Sequence, residues 1–184
     1  MAYYVRQVLV DVRNGRIRTE DGIKQIQSWH LELQPNINTT KGIVGLRAGV
    51  YQLFDALELC RSPATCVIGL PMAAHGANNV YENGSNLWTG RDDASGPVRK
   101  LYRYAAEELG GEAIDGDIKY GEVDIGLSLY SLLRRVPKNG AWKLFRRIPS
   151  DFERAYKAMG KGALGLDVMS TGFTLEKVHK DRQE

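Results

Sequence analysis

The sequence predicts a mainly α-helical protein, a compact multi-helix bundle around a Gly/Ala-rich central helical hairpin. Apolar residues recur at helical spacing through most of the chain, most cleanly at Val98, Leu101, Tyr102, Ala105 and Leu109. After Thr40, small residues punctuate the apolar runs at Gly45, Ala48 and Gly49, and again at Gly69, Ala73 and Ala77. That spacing lets two helices pack with their backbones close together. Over 184 residues, 43% hydrophobic and 26% charged side chains suffice for a buried core and exclude a wholly disordered chain.

The elements follow in order. Val5, Val8, Leu9 and Val12 share one helical face, which Asn14-Gly15 ends. Thr19 before Glu20 and Asp21 reads as a helix start, and Ile23, Ile26, Trp29 and Leu33 continue the stripe. Residues 1–33 are therefore expected to form an N-terminal helical hairpin. Residues 34–40 are polar and turn-rich, the expected linker to a main helical domain over 41–184. Within it, residues 41–87 make the tight hairpin, and Arg47, Asp55, Glu58 and His75 turn at least one of its faces to water or polar partners. Ser95 or Gly96 caps the next helix, with Pro97 at its first position and Gly110-Gly111 as its stop. Residues 122–133 suit a buried helix or a strand, and the flanking helices favour helix. Residues 136–140 read as a turn and 142–146 as a short strand or helical turn. Ser150 is expected to cap a last long helix carrying Phe152, Tyr156, Met159, Ala163 and Leu166.

Cys60 and Cys66 flank Pro63. A helix break there would allow a small disulfide loop, whereas an unbroken helix would hold the sulfurs apart. A pair of buried reduced thiols is the favoured expectation. Their spacing fits no zinc pattern and no second pair completes one, so neither metal nor cofactor is expected.

The most unusual local chemistry is His75-Gly-Ala-Asn78-Asn79-Val-Tyr81-Glu82. Residues three and four apart share a helix face, so the histidine, amides and carboxylate lie on neighbouring turns. Histidine titrates near neutrality, and His75, Asn78, Asn79, Tyr81 and Glu82 are the candidate catalytic set. The alternative is a polar network that satisfies a buried helix. Glu122 and Asp124 form a second carboxylate candidate, but on a helix they diverge by about 200°. Asp115-Gly116-Asp117 resembles a fragment of a calcium loop whose remainder is missing.

Charge is segregated: seven acids and one base lie between residues 107 and 124, then six bases and no acid between 125 and 150. Arg134, Arg135, Lys143, Arg146 and Arg147, with Trp142 and Phe145 between them, are the candidate anion-binding residues for anionic lipid or another polyanion. A net charge of +3 falls short of a histone-like nucleic-acid binder. No uninterrupted apolar run reaches the roughly 18 residues of a conventional membrane span. The first residues lack the basic start and apolar stretch of a secretory signal, so synthesis in the bacterial cytoplasm is expected.

Five motifs in order resemble the bacterial domain of unknown function 4225 family. They are Ala74-His-Gly-Ala-Asn-Asn-Val-Tyr-Glu-Asn83, Gly96-Pro-Val-Arg-Lys100, Tyr120-Gly-x-Val-Asp-x-Gly-Leu-Ser128, Ala141-Trp-Lys-Leu-Phe-Arg146 and Asp151-Phe-x-Arg-Ala-Tyr156 with Met159. The resemblance covers roughly residues 41 to 170. It implies small proteins or carboxy-terminal modules of proteobacteria, some in settings that suggest interbacterial toxins. The implied function is an antibacterial effector acting on the envelope or a hydrolysable target, carried by a specialised secretion system and paired with a cognate immunity protein. A non-enzymatic binding, immunity-like or scaffold module is the alternative. The family's counterpart of residues 42–74 tends to be more apolar, and Arg47, Asp55 and Glu58 depart from that pattern. The resemblance brings no catalytic list with it.

Overall fold

The computed structural model describes residues 2–138 and 149–183. Among them are α1 (Ala2–Arg13), α2 (Thr19–Leu59), α3 (Pro63–Thr89), α4 (Pro97–Glu108), α5 (Ala113–Leu133), α6 (Ala155–Ala158) and α7 (Lys161–Asp181). Two three-residue strands, β1 (Arg135–Pro137) and β2 (Phe152–Arg154), and a short 3-10 helix at Pro149–Asp151 accompany them. The protein is mainly helical, as its periodicity predicts. The chain divides into two compact units, Met1–Thr40 and Lys41–Glu184, and α2 contributes to both.

In the first unit the start of α2 approaches α1 at Gly22, where an added Cβ would lie 2.7 Å from a methyl of Val12. Val8 is buried there. Residues 34–40 are helical, not the turn-rich linker their composition suggests. Their polar side chains bond to the helix itself. Gln34 donates to Asn38 at 2.9 Å, and the Thr39 and Thr40 hydroxyls donate to the carbonyls of Pro35 and Asn36, each at 2.9 Å. Polar composition therefore does not interrupt the helix.

In the second unit the latter part of α2 and α3 form the expected antiparallel hairpin. Its seam is backbone on backbone: a Cβ at Gly76 would lie 2.9 Å from the Gly49 carbonyl oxygen, and one at Gly49 2.8 Å from that of Gly76. Cys60 and Cys66 close the hairpin tip with a disulfide, which corrects the expectation of reduced thiols. Pro63 is the reason. It occupies the first turn of α3 after extended Ser62, so the helix breaks between the two cysteines and brings them together. Ala56, Leu59, Met72 and Leu127 then make a small apolar core between α2, α3 and α5.

Gly96 precedes Pro97 at the head of α4, and Gly110 at φ 84° follows its end. Residues 122–133 belong to α5, settling helix over strand. The last long helix begins at Lys161, ten residues later than expected. Phe152 to Arg154 pair antiparallel with β1, with Arg135 opposite Arg154, Val136 opposite Glu153 and Pro137 opposite Phe152. That pairing takes the backbone bonds a continuous helix from Ser150 would need. The stretch 142–146 lies outside the described residues, as do Lys143, Arg146 and Arg147.

The seam makes a paired prediction for thermal unfolding followed by circular dichroism. Gly76→Ala forces its methyl into the backbone of α2 and destabilises by about 1–3 kcal/mol. At Gly126, in the middle of α5, a Cβ meets nothing within 4 Å. Gly126→Ala instead stabilises, by about 0.5–1 kcal/mol, through helix propensity alone.

Candidate functional site

The interior of the second unit holds as much polar as apolar chemistry. Gln52, His75, Asn78, Glu82, Arg99, Asp124 and Ser128 are all buried. The 3.6-residue turn places His75, Asn78, Asn79 and Glu82 along the face of α3 that meets its neighbours. At one end of this layer, Glu82 accepts a bidentate pair from Arg99, Nε to Oε1 and Nη2 to Oε2, both at 2.8 Å. Its Oε1 also accepts the Gly96 backbone N–H at 2.8 Å and the Asn78 amide at 2.9 Å. The Val98 N–H donates to Asn78 Oδ1 at 2.9 Å. Two otherwise unpaired N–H groups at the head of α4 are thus capped from α3 rather than from α4's own side chains.

Tyr120, from α5, is the centre of the layer. Its ring stacks on His75 with centroids 4.5 Å apart and planes 10° from parallel, and the Arg99 guanidinium lies 4.2 Å from its centroid. A ring has two faces, so the imidazole and the guanidinium take opposite ones. The Tyr120 hydroxyl accepts from Asn78 at 3.0 Å and donates to Asn79 Oδ1 at 2.9 Å. Asn79 in turn donates to Gln52 Oε1 and Asp124 Oδ1, each at 3.0 Å, and Gln52 donates to Asp124 Oδ1 at 3.1 Å. Burial, with the carboxylates of Asp124 and Glu82 adding to it, raises the pKa of Tyr120. The phenol stays protonated and serves as a fixed donor. Burial by itself lowers the pKa of Arg99, but its bonds to Glu82 outweigh that and hold it above its ordinary value.

The structure brings His75, Asn78, Asn79 and Glu82 of the expected catalytic set together, in a buried network that leaves His75 Nδ1 without a hydrogen bond among the described residues. His75 is 1% exposed; its Nε2 shares a 3.2 Å hydrogen bond with the Tyr102 hydroxyl, and its Nδ1 lies 3.4 Å from Asp124 Oδ1. Tyr81 stands apart from them, 55% exposed. Asp124 and Glu122 diverge as their spacing requires. Asp124 joins the network, while Glu122 pairs on the surface with Lys119 and Arg182. Asp115 closes a capping box with Glu112 at the head of α5, and Asp117 takes the fork of Arg103, both bonds at 2.8 Å. Of the candidate anion-binding residues within the described chain, Arg134 is paired with Asp55 at 2.8 Å and Glu58 at 3.5 Å, and Arg135 is exposed. Sequence reading did not place Gln52, Tyr102 or Arg103 in this network, because no local pattern marks partners drawn from three other helix faces. Arg99 stood within the Gly96-Pro-Val-Arg motif without an assigned role.

Beside this layer lies an open cavity of about 1150 Å³, with Gln52 and Ser128 on one wall and Asp55, Arg134 and Asp167 on others. Asp167, on α7, is partly buried, and its Oδ2 is shielded from solvent without a hydrogen-bond partner among the described residues. Burial and the nearby charges of Asp55 and Asp124 push its pKa up to about 6.

A family model described as "Protein of unknown function (DUF4225)" matches residues 10–160 of the chain. No curated protein and no solved structure matches it.

Two stability predictions follow from the site. Glu82→Gln leaves buried Arg99 with only its 3.7 Å contact to Asp117 and destabilises by about 2–4 kcal/mol in urea unfolding, whereas Tyr81→Ala changes stability by less than about 1 kcal/mol. Burial holds the pKa of Asp167 at about 6 in the folded protein, against an ordinary 3.8. Its protonated form therefore favours the fold fully below pH 3.8, and that contribution is lost as the pH rises through about 6. Asp167→Asn is expected to stabilise near neutral pH by about 1 kcal/mol after screening, or roughly 2–4 °C in Tm. That advantage shrinks towards pH 4; an advantage that does not change with pH would show that Asp167 has a partner.

Proposed function

Taking as premise that this chain belongs to the DUF4225 family of proteins of unknown function, we propose that it is a non-enzymatic binding module working in an oxidising compartment. The observation that carries this reading is the burial of the polar layer. Asn78 bonds to Glu82 and Tyr120, Asn79 to Tyr120, Glu82 to Arg99 and His75 Nε2 to Tyr102, so these side chains hold helices together rather than face a substrate. A general base needs access to the proton it abstracts, and His75 is almost wholly buried. The Cys60–Cys66 disulfide favours a working life outside a reducing cytosol.

A second reading has its own observation. The outer face of the α2–α3 hairpin exposes Phe54, Leu57, Val67 and Leu70, with Leu57 69% and Val67 74% exposed. Such a patch suits an apolar partner or a membrane surface. It favours the interbacterial effector: a toxin carried by a secretion system to a competitor's envelope, membrane-associated through this face, and held in check by a cognate immunity protein. Among the described residues no helix is long and apolar enough to cross a membrane. Envelope damage by this route would start from the surface.

Viable counts of a bacterium making the chain in its cytosol, or fused to an export signal, separate the two. The binding module leaves counts unchanged in both settings while folded protein accumulates. The effector lowers them after export alone, and Val67→Asp with Leu70→Asp restores them. Killing from the cytosol would overturn both readings.

A further inference from the structure

Asp55 and Arg134 on the cavity wall neutralise each other, and Arg134 also reaches Glu58, although the Arg134 Nε is shielded without a hydrogen bond among the described residues. Asp167 has no such partner: its Oδ2 is shielded and makes no hydrogen bond among the described residues. A partly buried carboxylate without a counter-charge opposes folding at neutral pH. A group that costs stability on the wall of an open cavity is expected where a ligand completes it. The charge that would complete Asp167 is positive, and Asp55 and Asp124 strengthen the preference because both add negative potential at its position. The cavity's exposed lining is mainly positive: Arg61, Arg135 and Lys138 line it with exposed side chains, and Glu58, the exposed acid beside them, is 3.5 Å from Arg134. Phe152 and Met159 supply apolar wall as well. The volume, about 1150 Å³, leaves room for a small organic molecule.

We propose that this cavity binds a small amphoteric ligand, its ammonium group inward on Asp167 and its carboxylate outward among Arg61, Arg135 and Lys138, with an alkyl spacer between. The assignment rests on the binding-module reading and names the class of molecule bound. It needs no movement of the buried His75–Tyr120 layer, which touches the cavity through Gln52 and Ser128.

Three probes with the same five-carbon chain test it: 5-aminopentanoate carries both charges, cadaverine two ammonium groups and glutarate two carboxylates. Calorimetric titration of the full, disulfide-bonded chain is expected to show 5-aminopentanoate binding one to one, at least about tenfold tighter than either other probe. Asp167→Asn should weaken that binding by about tenfold or more, and so should the exposed pair Arg135→Glu with Lys138→Glu. The rim pair keeps the test decisive should the Asp167 variant lose its fold. Tightest binding of glutarate or of cadaverine would overturn the proposal, because a site for one charge alone is not amphoteric. No binding of 5-aminopentanoate up to about 10 mM, by a chain that circular dichroism shows folded, would overturn it as well. Neither failure touches the binding-module reading, which stands or falls on the viable counts.

Discussion

A carboxylate taken out of water has to be neutralised where it stands, and Glu82 is neutralised by donors from the head of α4 and from its own helix. Arg99 occupies both of its oxygens, the Gly96 N–H adds a third donor, and Asn78 braces it from one turn away. Each donor arrives with a piece of backbone. Arg99 and Gly96 fix the head of α4 against α3, where the positive end of the α4 dipole also meets the carboxylate. From there Arg99 covers one face of Tyr120, His75 covers the other, and the Tyr120 hydroxyl passes the constraint on to both asparagines. Removing one member leaves a buried charge or dipole that water cannot reach, so the layer is maintained as a unit.

Such a layer needs helices close enough for short side chains to bridge them. Gly49 and Gly76 supply that closeness between α2 and α3, where any Cβ would meet the facing backbone. The same device recurs where α5 crosses α4, at Gly116 against the backbone of Tyr102 and Arg103. With the backbones that near, Asn79 reaches Gln52 and Asp124 directly, and Asp117 receives Arg103 without strain on either side. Apolar packing is correspondingly modest: the core of Ala56, Leu59, Met72 and Leu127 is small for a unit of this length. Specific hydrogen bonding in the interior carries a large share of the definition of this fold.

The buried layer and the open cavity differ in character though they share Gln52 and Ser128. In one, the acceptors of Glu82, Asn78 and Asn79 are filled by neighbouring helices. In the other, Asp167 has a shielded oxygen with no hydrogen bond among the described residues. Saturated groups stabilise and leave little capacity for a visitor, whereas an unmatched one has a reason to bind. His75 Nδ1 is unmatched too, but it lies inside the layer 3.4 Å from Asp124, whereas Asp167, an aspartate the sequence did not mark, lines the cavity.

Much of the helical framework was legible in the sequence because helical periodicity, Pro97 at a helix start and Gly110 at a helix end are local signals. So was the cluster of His75, Asn78, Asn79 and Glu82, since residues three and four apart share a helix face whatever surrounds them. The errors had local causes as well. Residues 34–40 are polar enough to read as a linker, yet their side chains bond within the helix, and Phe152 has helical spacing to Tyr156 yet pairs with β1. By itself the sequence determined where helices could form and which polar side chains each would present on one face. Tertiary structure decided whether those side chains would meet partners or solvent: Pro63 joined two cysteines, Arg99 closed over Glu82, and α7 brought Asp167 to a cavity beside Asp55. The physical reason is range. Helix propensity acts over one or two turns, but a buried charge is matched by whatever the fold carries to within about 3 Å of it.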